Sequence, residues 1–189
     1  MNYLFFDTET SGLPKSWMVS ENDIQNWPRI IQLGCILANE QGQIMEEYQT
    51  IIQPIGFSID ASAASVHGIS HARAMKDGIP VKDAMHRLEA MILKADMMVA
   101  HNINFDFPIV NCEFLRLNQK VHYPALFCTM LSTCEFVGIE GNYGTYKWPK
   151  LEELYIKLFG HNFDGAHNAM ADVQATTKCF FELKSRGII

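Results

Sequence analysis

The sequence contains no uninterrupted apolar run near 18 residues, so it offers no candidate membrane-spanning helix. Nor does it open with a basic segment followed by an apolar one; a first strand is expected from about residue 2, which leaves no room for a targeting segment. Cysteine is sparse, odd in number and scattered, and Cys35, Cys112, Cys128, Cys134 and Cys179 form no Cys-x-x-Cys pair. That excludes a disulfide framework and points to reduced, mostly buried thiols in a cytoplasmic protein. Basic residues are in deficit as well, 15 against 21 acidic, for a net charge of −6. A broad basic face for nucleic acid is thereby disfavoured. There is no internal repeat, low-complexity tract or linker. The balance of 48% hydrophobic and 19% charged residues over 189 positions suits one domain, residues 1–189, with a substantial core.

What is present is acidic and ordered. Phe5-Phe6-Asp7-Thr8-Glu9-Thr10-Ser11-Gly12 places two carboxylates at i and i+2 at the end of an apolar run, on one face of a strand. Carboxylates gathered beside a core are costly unless a cation neutralises them, and a hard divalent ion such as Mg²⁺ prefers carboxylate oxygen. A second motif, His101-Asn102-Ile103-Asn104-Phe105-Asp106-Phe107-Pro108, follows the short apolar run Met97-Met98-Val99-Ala100. Asp106 and Pro108 suit the opening turn of a helix whose buried face is Phe107, Val110, Phe114 and Leu117. The third motif, His167-Asn168-Ala169-Met170-Ala171-Asp172, heads the last helix, with Val173, Thr176, Phe180 and Leu183 facing inward.

Between the motifs, residues 13–28 form an irregular excursion carrying Trp17 and Trp27. Strands are expected over 29–39 and 44–53, joined by a turn at Gln41-Gly42, then a short helix over 59–66 with Asp60 or Ser62 at its start. Pro80 opens a clearer helix with Val81, Met85, Leu88, Met91 or Ile92, and Ala95 on one face. A strand over 96–100, the Asp106 helix, an edge strand over 125–129, and helices over 131–137, 151–159 and 169–185 complete the pattern. A hairpin followed by β-α alternation implies an α/β fold, a mixed sheet with helices on its faces.

In these motifs the chain resembles the DEDD superfamily of 3′→5′ exonucleases, which includes the proofreading epsilon subunit of bacterial DNA polymerase III and ribonuclease T. The family order of Asp-x-Glu, Asn-x-x-Phe/Tyr-Asp and His-x-x-x-x-Asp is met by Asp7 and Glu9, by Asn102, Phe105 and Asp106, and by His167 and Asp172. His167, where a sister subgroup has Tyr, points to the DEDDh, DnaQ-like branch. Ser65-Val66-His67-Gly68-Ile69 and Trp148-Pro149-Lys150-Leu151 extend the resemblance over nearly the whole chain. Gln32 departs from it, since many relatives carry Glu there.

The resemblance implies a ribonuclease-H-like fold, a mixed five-stranded sheet flanked by helices. It implies a metal-dependent exonuclease that acts at the 3′ end of single-stranded DNA, or of RNA, and releases nucleoside 5′-monophosphates. Two ions, Mg²⁺ or Mn²⁺, about 3.5–4 Å apart would serve such chemistry. Asp7 is expected to end its strand and bridge them, with Glu9 and Asp172 on the first and Asp106 supporting the second. His167 is the expected general base, since an imidazole's ordinary pKa of about 6.5 suits proton transfer at neutral pH. Thr8, Thr10 and Gly12 belong to a turn that offers N–H groups to the terminal nucleotide, and Leu13 resembles an apolar wedge beside its base. Asn102 and Phe105 complete the substrate-binding set, Phe105 serving equally well as a stacking ring or as core. His67 and His101 are further candidates to line the cleft.

Four of the negative charges are then site carboxylates that two divalent ions would cancel, so a basic surface is not required. Lys147, Lys150 and Lys157 are either a local positive rim or ordinary solvated charges. The alternative roles are a proofreading-type or non-catalytic subunit of a polymerase complex, and a ribonuclease-H-like endonuclease, which His167 and Asn102 disfavour. The chain stops at Ile189 without a flexible tail, so no tail indicates a polymerase partner, and a free-standing enzyme is expected. The residues leave DNA against RNA and the oligomeric state open.

Overall fold

The computed structural model describes residues 1–189, the side chain of Tyr143 excepted. Its frame is a five-stranded sheet in the order β3-β2-β1-β4-β5. β1 (Asn2–Thr10) is central, antiparallel to β2 (Ile30–Asn39) and parallel to β4 (Met97–Ala100). β3 (Ile44–Ile51) closes the antiparallel side, and β5 (Ala125–Cys128) is the expected edge strand on the parallel side.

The alternation along β1 decides what each face carries. Leu4 and Phe6 point into the larger core, against α3 (Val81–Ile92) and α4 (Ile103–Arg116). Tyr3 and Phe5 point the other way, against Val173 and Phe180 of α8 (Ala169–Ser185). Asp7 and Glu9 continue this second series, so their side chains share a face with α8. Thr8 continues the first and faces α4. α7 (Leu151–Phe159) packs on α8 through Leu154, Tyr155 and Leu158. Among the described residues, no helix is long and apolar enough to cross a membrane.

Several local expectations are corrected. β1 does not end at Asp7 but pairs with β2 through Thr10, so Asp7 and Glu9 are held on a hydrogen-bonded ladder. α4 starts at Ile103, so Asp106 stands in its first turn as expected, whereas Pro108 lies farther inside the helix. The expected 131–137 helix is two single turns, α5 (Thr129–Ser132) and α6 (Cys134–Val137). They break where the Thr133 hydroxyl bonds back to the Thr129 carbonyl at 2.7 Å. α1 (Ala61–His67) is shifted one to two residues, and α2 (His71–Asp77) was not anticipated.

Candidate active site

β1 delivers two carboxylates to the α8 face, and the start of α8 brings the third. Oxygens of Asp7, Glu9 and Asp172 all lie within 4.8 Å of one another. This approach needs Gly34, which pairs with Asp7 across the β1–β2 ladder. A Cβ at Gly34 would sit 2.6 Å from the Ala169 carbonyl, so any larger residue would lift the head of α8 off the sheet. Gln32, the residue opposite Glu9, is 3% exposed and accepts the Ala169 N–H at 3.0 Å. The Asn168 side chain accepts from Met170 and Ala171, while Gln49 donates to it at 3.1 Å. Three N–H groups that a helix start leaves unpaired thus find side-chain oxygens from the sheet and the cap.

Asp106 comes from the opposite face. It is 3% exposed, and one oxygen accepts both the Thr8 N–H at 2.9 Å and the Thr8 hydroxyl at 2.7 Å. Because Thr8 alternates with Asp7 and Glu9, Asp106 lies outside the three-carboxylate cluster yet close enough to repel it. Burial, then Asp106, Asp172 and Glu9 in turn, push the Asp7 carboxyl well above its ordinary value. Burial and the Asp172 charge raise Glu9 to about 8. Burial raises Asp106 to about 7 against the opposing pull of the Thr8 hydrogen bonds, and raises Asp172 to about 6. Among the described residues, no Lys or Arg forms an ion pair with any of the four. Three desolvated carboxylates sharing one place, with a fourth close enough to feel their charge, are what a hard divalent cation fits.

His167 precedes the Asn168 cap in a left-handed conformation, φ 66°, and its N–H donates to Asp172 at 3.0 Å. It lines a small cavity of about 140 Å³ together with Asp7, Asp172, His101, Lys150 and Glu152. His101 does reach the cleft, but as a fixed bridge. Its Nε2 is 2.9 Å from the Pro149 carbonyl, which can only accept, so Nδ1 accepts from the Thr129 hydroxyl at 3.0 Å. Burial lowers its pKa to about 4, which keeps it neutral. Glu152 was not anticipated: an acid in the first turn of α7 is what any helix start favours, so nothing in the sequence sets it apart. Of the three lysines, Lys150 lines the cleft, Lys147 is tied to Glu153 at 2.7 Å, and Lys157 lies over the Phe136 ring.

A second pocket, of about 270 Å³, adjoins Glu9. Thr8, Thr10, Gly12, Leu13, His67 and Phe105 line it, with Ser62, Ala63 and Val66 of α1 on the far wall. Leu13 is 73% exposed and free to wedge. Phe105 is half-buried, packed against the core on one side and lining the pocket on the other. Asn102 is placed elsewhere. It turns the chain from β4 into α4 at φ 74° and lines a neighbouring groove instead of this pocket.

The family model described as exonuclease matches residues 4–180. A DNA polymerase III subunit epsilon-like protein of Rhodobacter capsulatus is 27% identical over 100% of this chain and 25% of its own length. The DNA polymerase III subunit epsilon of Buchnera aphidicola is 30% identical over 69% of this chain and 51% of its own. The chain thus spans between a quarter and about half the length of these relatives. Exonuclease I of E. coli, solved with a dA16 oligonucleotide, superposes with a TM-score of 0.78 at 21% identity, covering 98% of this chain and 41% of that one. That fold is the ribonuclease-H-like one expected from the sequence.

Proposed function

Because the chain belongs to the DnaQ-like exonuclease family, we propose that it hydrolyses single-stranded DNA from the 3′ end and releases nucleoside 5′-monophosphates. The observation that carries this reading is the meeting of Asp7, Glu9 and Asp172 within 4.8 Å, with no basic partner among the described residues. Their oxygens suit Mg²⁺ or Mn²⁺. Asp7, Glu9 and Asp172 would hold one ion, and Asp106 with Asp7 would support a second. When bound, such ions neutralise phosphoryl charge and lower the pKa of water.

The remaining work falls to the protein's own groups. His167, beside Asp7 and Asp172, takes the proton of the attacking water on its imidazole. Asp172 accepts the His167 N–H at 3.0 Å, which holds that residue beside the cluster. The pocket under Leu13 and Phe105 holds the terminal base by its faces, which suits any sequence and requires an unpaired end. Closed circles have no end to place there.

The test is hydrolysis of 5′-labelled linear and internally labelled closed circular single strands by the purified protein, with DNA and RNA of one sequence side by side. One-nucleotide steps on linear DNA, surviving circles, and loss of activity in EDTA with recovery in Mg²⁺ support the reading. Rapid cutting of circles moves the protein to the endonucleases, and full activity in excess EDTA sinks the metal chemistry. The epsilon relatives support a second reading, in which the same cleft proofreads inside a polymerase complex. A rate that is negligible until a polymerase is added would favour that one.

A further inference from the structure

The connection between α7 and α8 carries His167 at its end, and besides the catalytic cavity it walls a second one. That cavity has a volume of about 280 Å³, close to the 270 Å³ of the pocket under Leu13. Its floor is one stripe of α8, where Ala171 and Ala175 leave the space and Gln174 and Lys178 border it. Opposite stand Tyr155 of α7 and residues 161–164 of the connection. Tyr155 is 6% exposed, and three rings hold it, with centroids at 4.5 Å for Phe159, 5.2 Å for Phe163 and 5.8 Å for His161. Its hydroxyl nevertheless makes no hydrogen bond among the described residues, and it is not sealed in the core. A phenol this buried ordinarily has a partner for its O–H. Here the cavity is where a partner can reach it.

The lining around that hydroxyl is selective. Lys178 forms no ion pair among the described residues, which leaves its ammonium to the anion of a guest. The His161 Nδ1 lies 2.9 Å from the Asn162 carbonyl, which can only accept, so the neutral ring keeps Nε2 as an acceptor. Gln174 is exposed and makes no side-chain hydrogen bond among the described residues, so its amide can both donate and accept. Asp164, the one acid of the lining, can take an amine or a sugar hydroxyl. One anion, a flat ring with donors and acceptors along its edge, and the volume of a base together describe a nucleoside 5′-monophosphate.

We propose that this cavity binds a nucleoside 5′-monophosphate outside the catalytic cleft, with its base on Phe163 and the Tyr155 hydroxyl and its phosphate on Lys178. The inference rests on the exonuclease reading above, since the guest is the product of that reaction, and it adds a feedback to it. Phe163 is a wall shared with the catalytic cavity, and Ala171 immediately precedes Asp172. His167 closes the same connection and already lines the catalytic cavity with Asp7 and Asp172. A guest that moves the Phe163 wall disturbs that placement, so accumulating product lowers kcat. Competition in the cleft would raise KM instead.

The test titrates the intact protein with dAMP by calorimetry in EDTA, so that no metal draws a phosphate into the cleft. One dAMP per chain is expected, and inorganic phosphate or deoxyadenosine alone should each bind far more weakly, since neither spans the site. Lys178→Ala should weaken dAMP about tenfold, the usual loss for one hydrogen bond to a charged group. Tyr155→Phe keeps the buried ring and should weaken dAMP severalfold. Leu13→Ala should leave this binding as it is. In Mg²⁺, dAMP should lower kcat on a DNA oligomer, and Lys178→Ala should need about tenfold more dAMP for the same fall from its own starting rate. No binding in EDTA, or binding that Leu13→Ala removes and Lys178→Ala leaves, overturns the site. Inhibition that raises KM alone overturns the feedback. If the wild type hydrolyses no oligomer at all, the exonuclease reading falls instead, and the titration in EDTA still decides whether the cavity takes a nucleotide.

Discussion

At the cluster, function and stability pull in opposite directions on the same atoms. Asp7, Glu9 and Asp172 crowd their charges together where burial already disfavours ionisation. Asp172→Asn keeps the shape and removes one of these charges. Its turnover in Mg²⁺ should fall on the order of a thousandfold, and Asp7→Asn should do the same. In EDTA, however, Asp172→Asn should melt a few degrees above the wild type, because repulsion has been relieved. Lower melting in EDTA would show that the Asp172 carboxylate stabilises the metal-free fold. His167→Ala differs in kind, since it removes a proton acceptor and no ligand. Its kcat should fall about 10²–10⁴-fold with Mg²⁺ or Mn²⁺ affinity retained in calorimetry. Loss of metal affinity would make His167 a ligand.

At the scale of elements, the site depends on how the head of α8 is seated on the sheet. The Ala169 N–H has its acceptor in Gln32. Gln32→Leu strands that donor in a buried place, at a cost of about 1–3 kcal/mol. It should lower both melting temperature and kcat, whereas Gln32→Glu keeps the acceptor and should retain more of both. Equal losses in the two variants would mean that the side chain's shape, and not its acceptor, is what α8 uses. These seating contacts mark the limit of what the sequence discloses. Helices α7 and α8 were legible to the residue because apolar periodicity and flanking turns agree. α2 was not, because it buries only Ala74 and so has no periodic face to read. The four carboxylates and His167 were legible as motifs. The Thr8–Asp106 bonds, the Gln32 acceptor and the placing of Trp17 beside Phe105 join residues far apart in the chain, and no local pattern encodes such meetings. The overextension of β1 has the same origin. Nothing local tells that Thr8 to Thr10 find partners on β2.

Over the whole molecule, the deficit of basic charge becomes a coupling between pH, metal and stability. The folded values of about 8 for Glu9, about 7 for Asp106 and about 6 for Asp172 all stand above ordinary carboxylate values near 4. The metal-free fold therefore binds more protons than the unfolded chain across this interval. The stability so gained is fully present below about pH 4 and is lost as pH rises through 6 to 8, where the folded protein must ionise against its own field. Mg²⁺ acts in the reverse sense. It binds the ionised carboxylates, releases their protons, and so binds more tightly as pH rises through the same window. Melting temperatures in EDTA should decline between about pH 5.5 and 9, and those in saturating Mg²⁺ should decline less or rise, so the gap between the two curves widens with pH. Glu9→Gln removes the group that titrates highest of these three and should flatten the EDTA curve mainly at its alkaline end. If the EDTA and Mg²⁺ curves run parallel over that range, the carboxylates are not the groups that bind the metal. The proposed site would then have to be abandoned, whatever activity the protein shows.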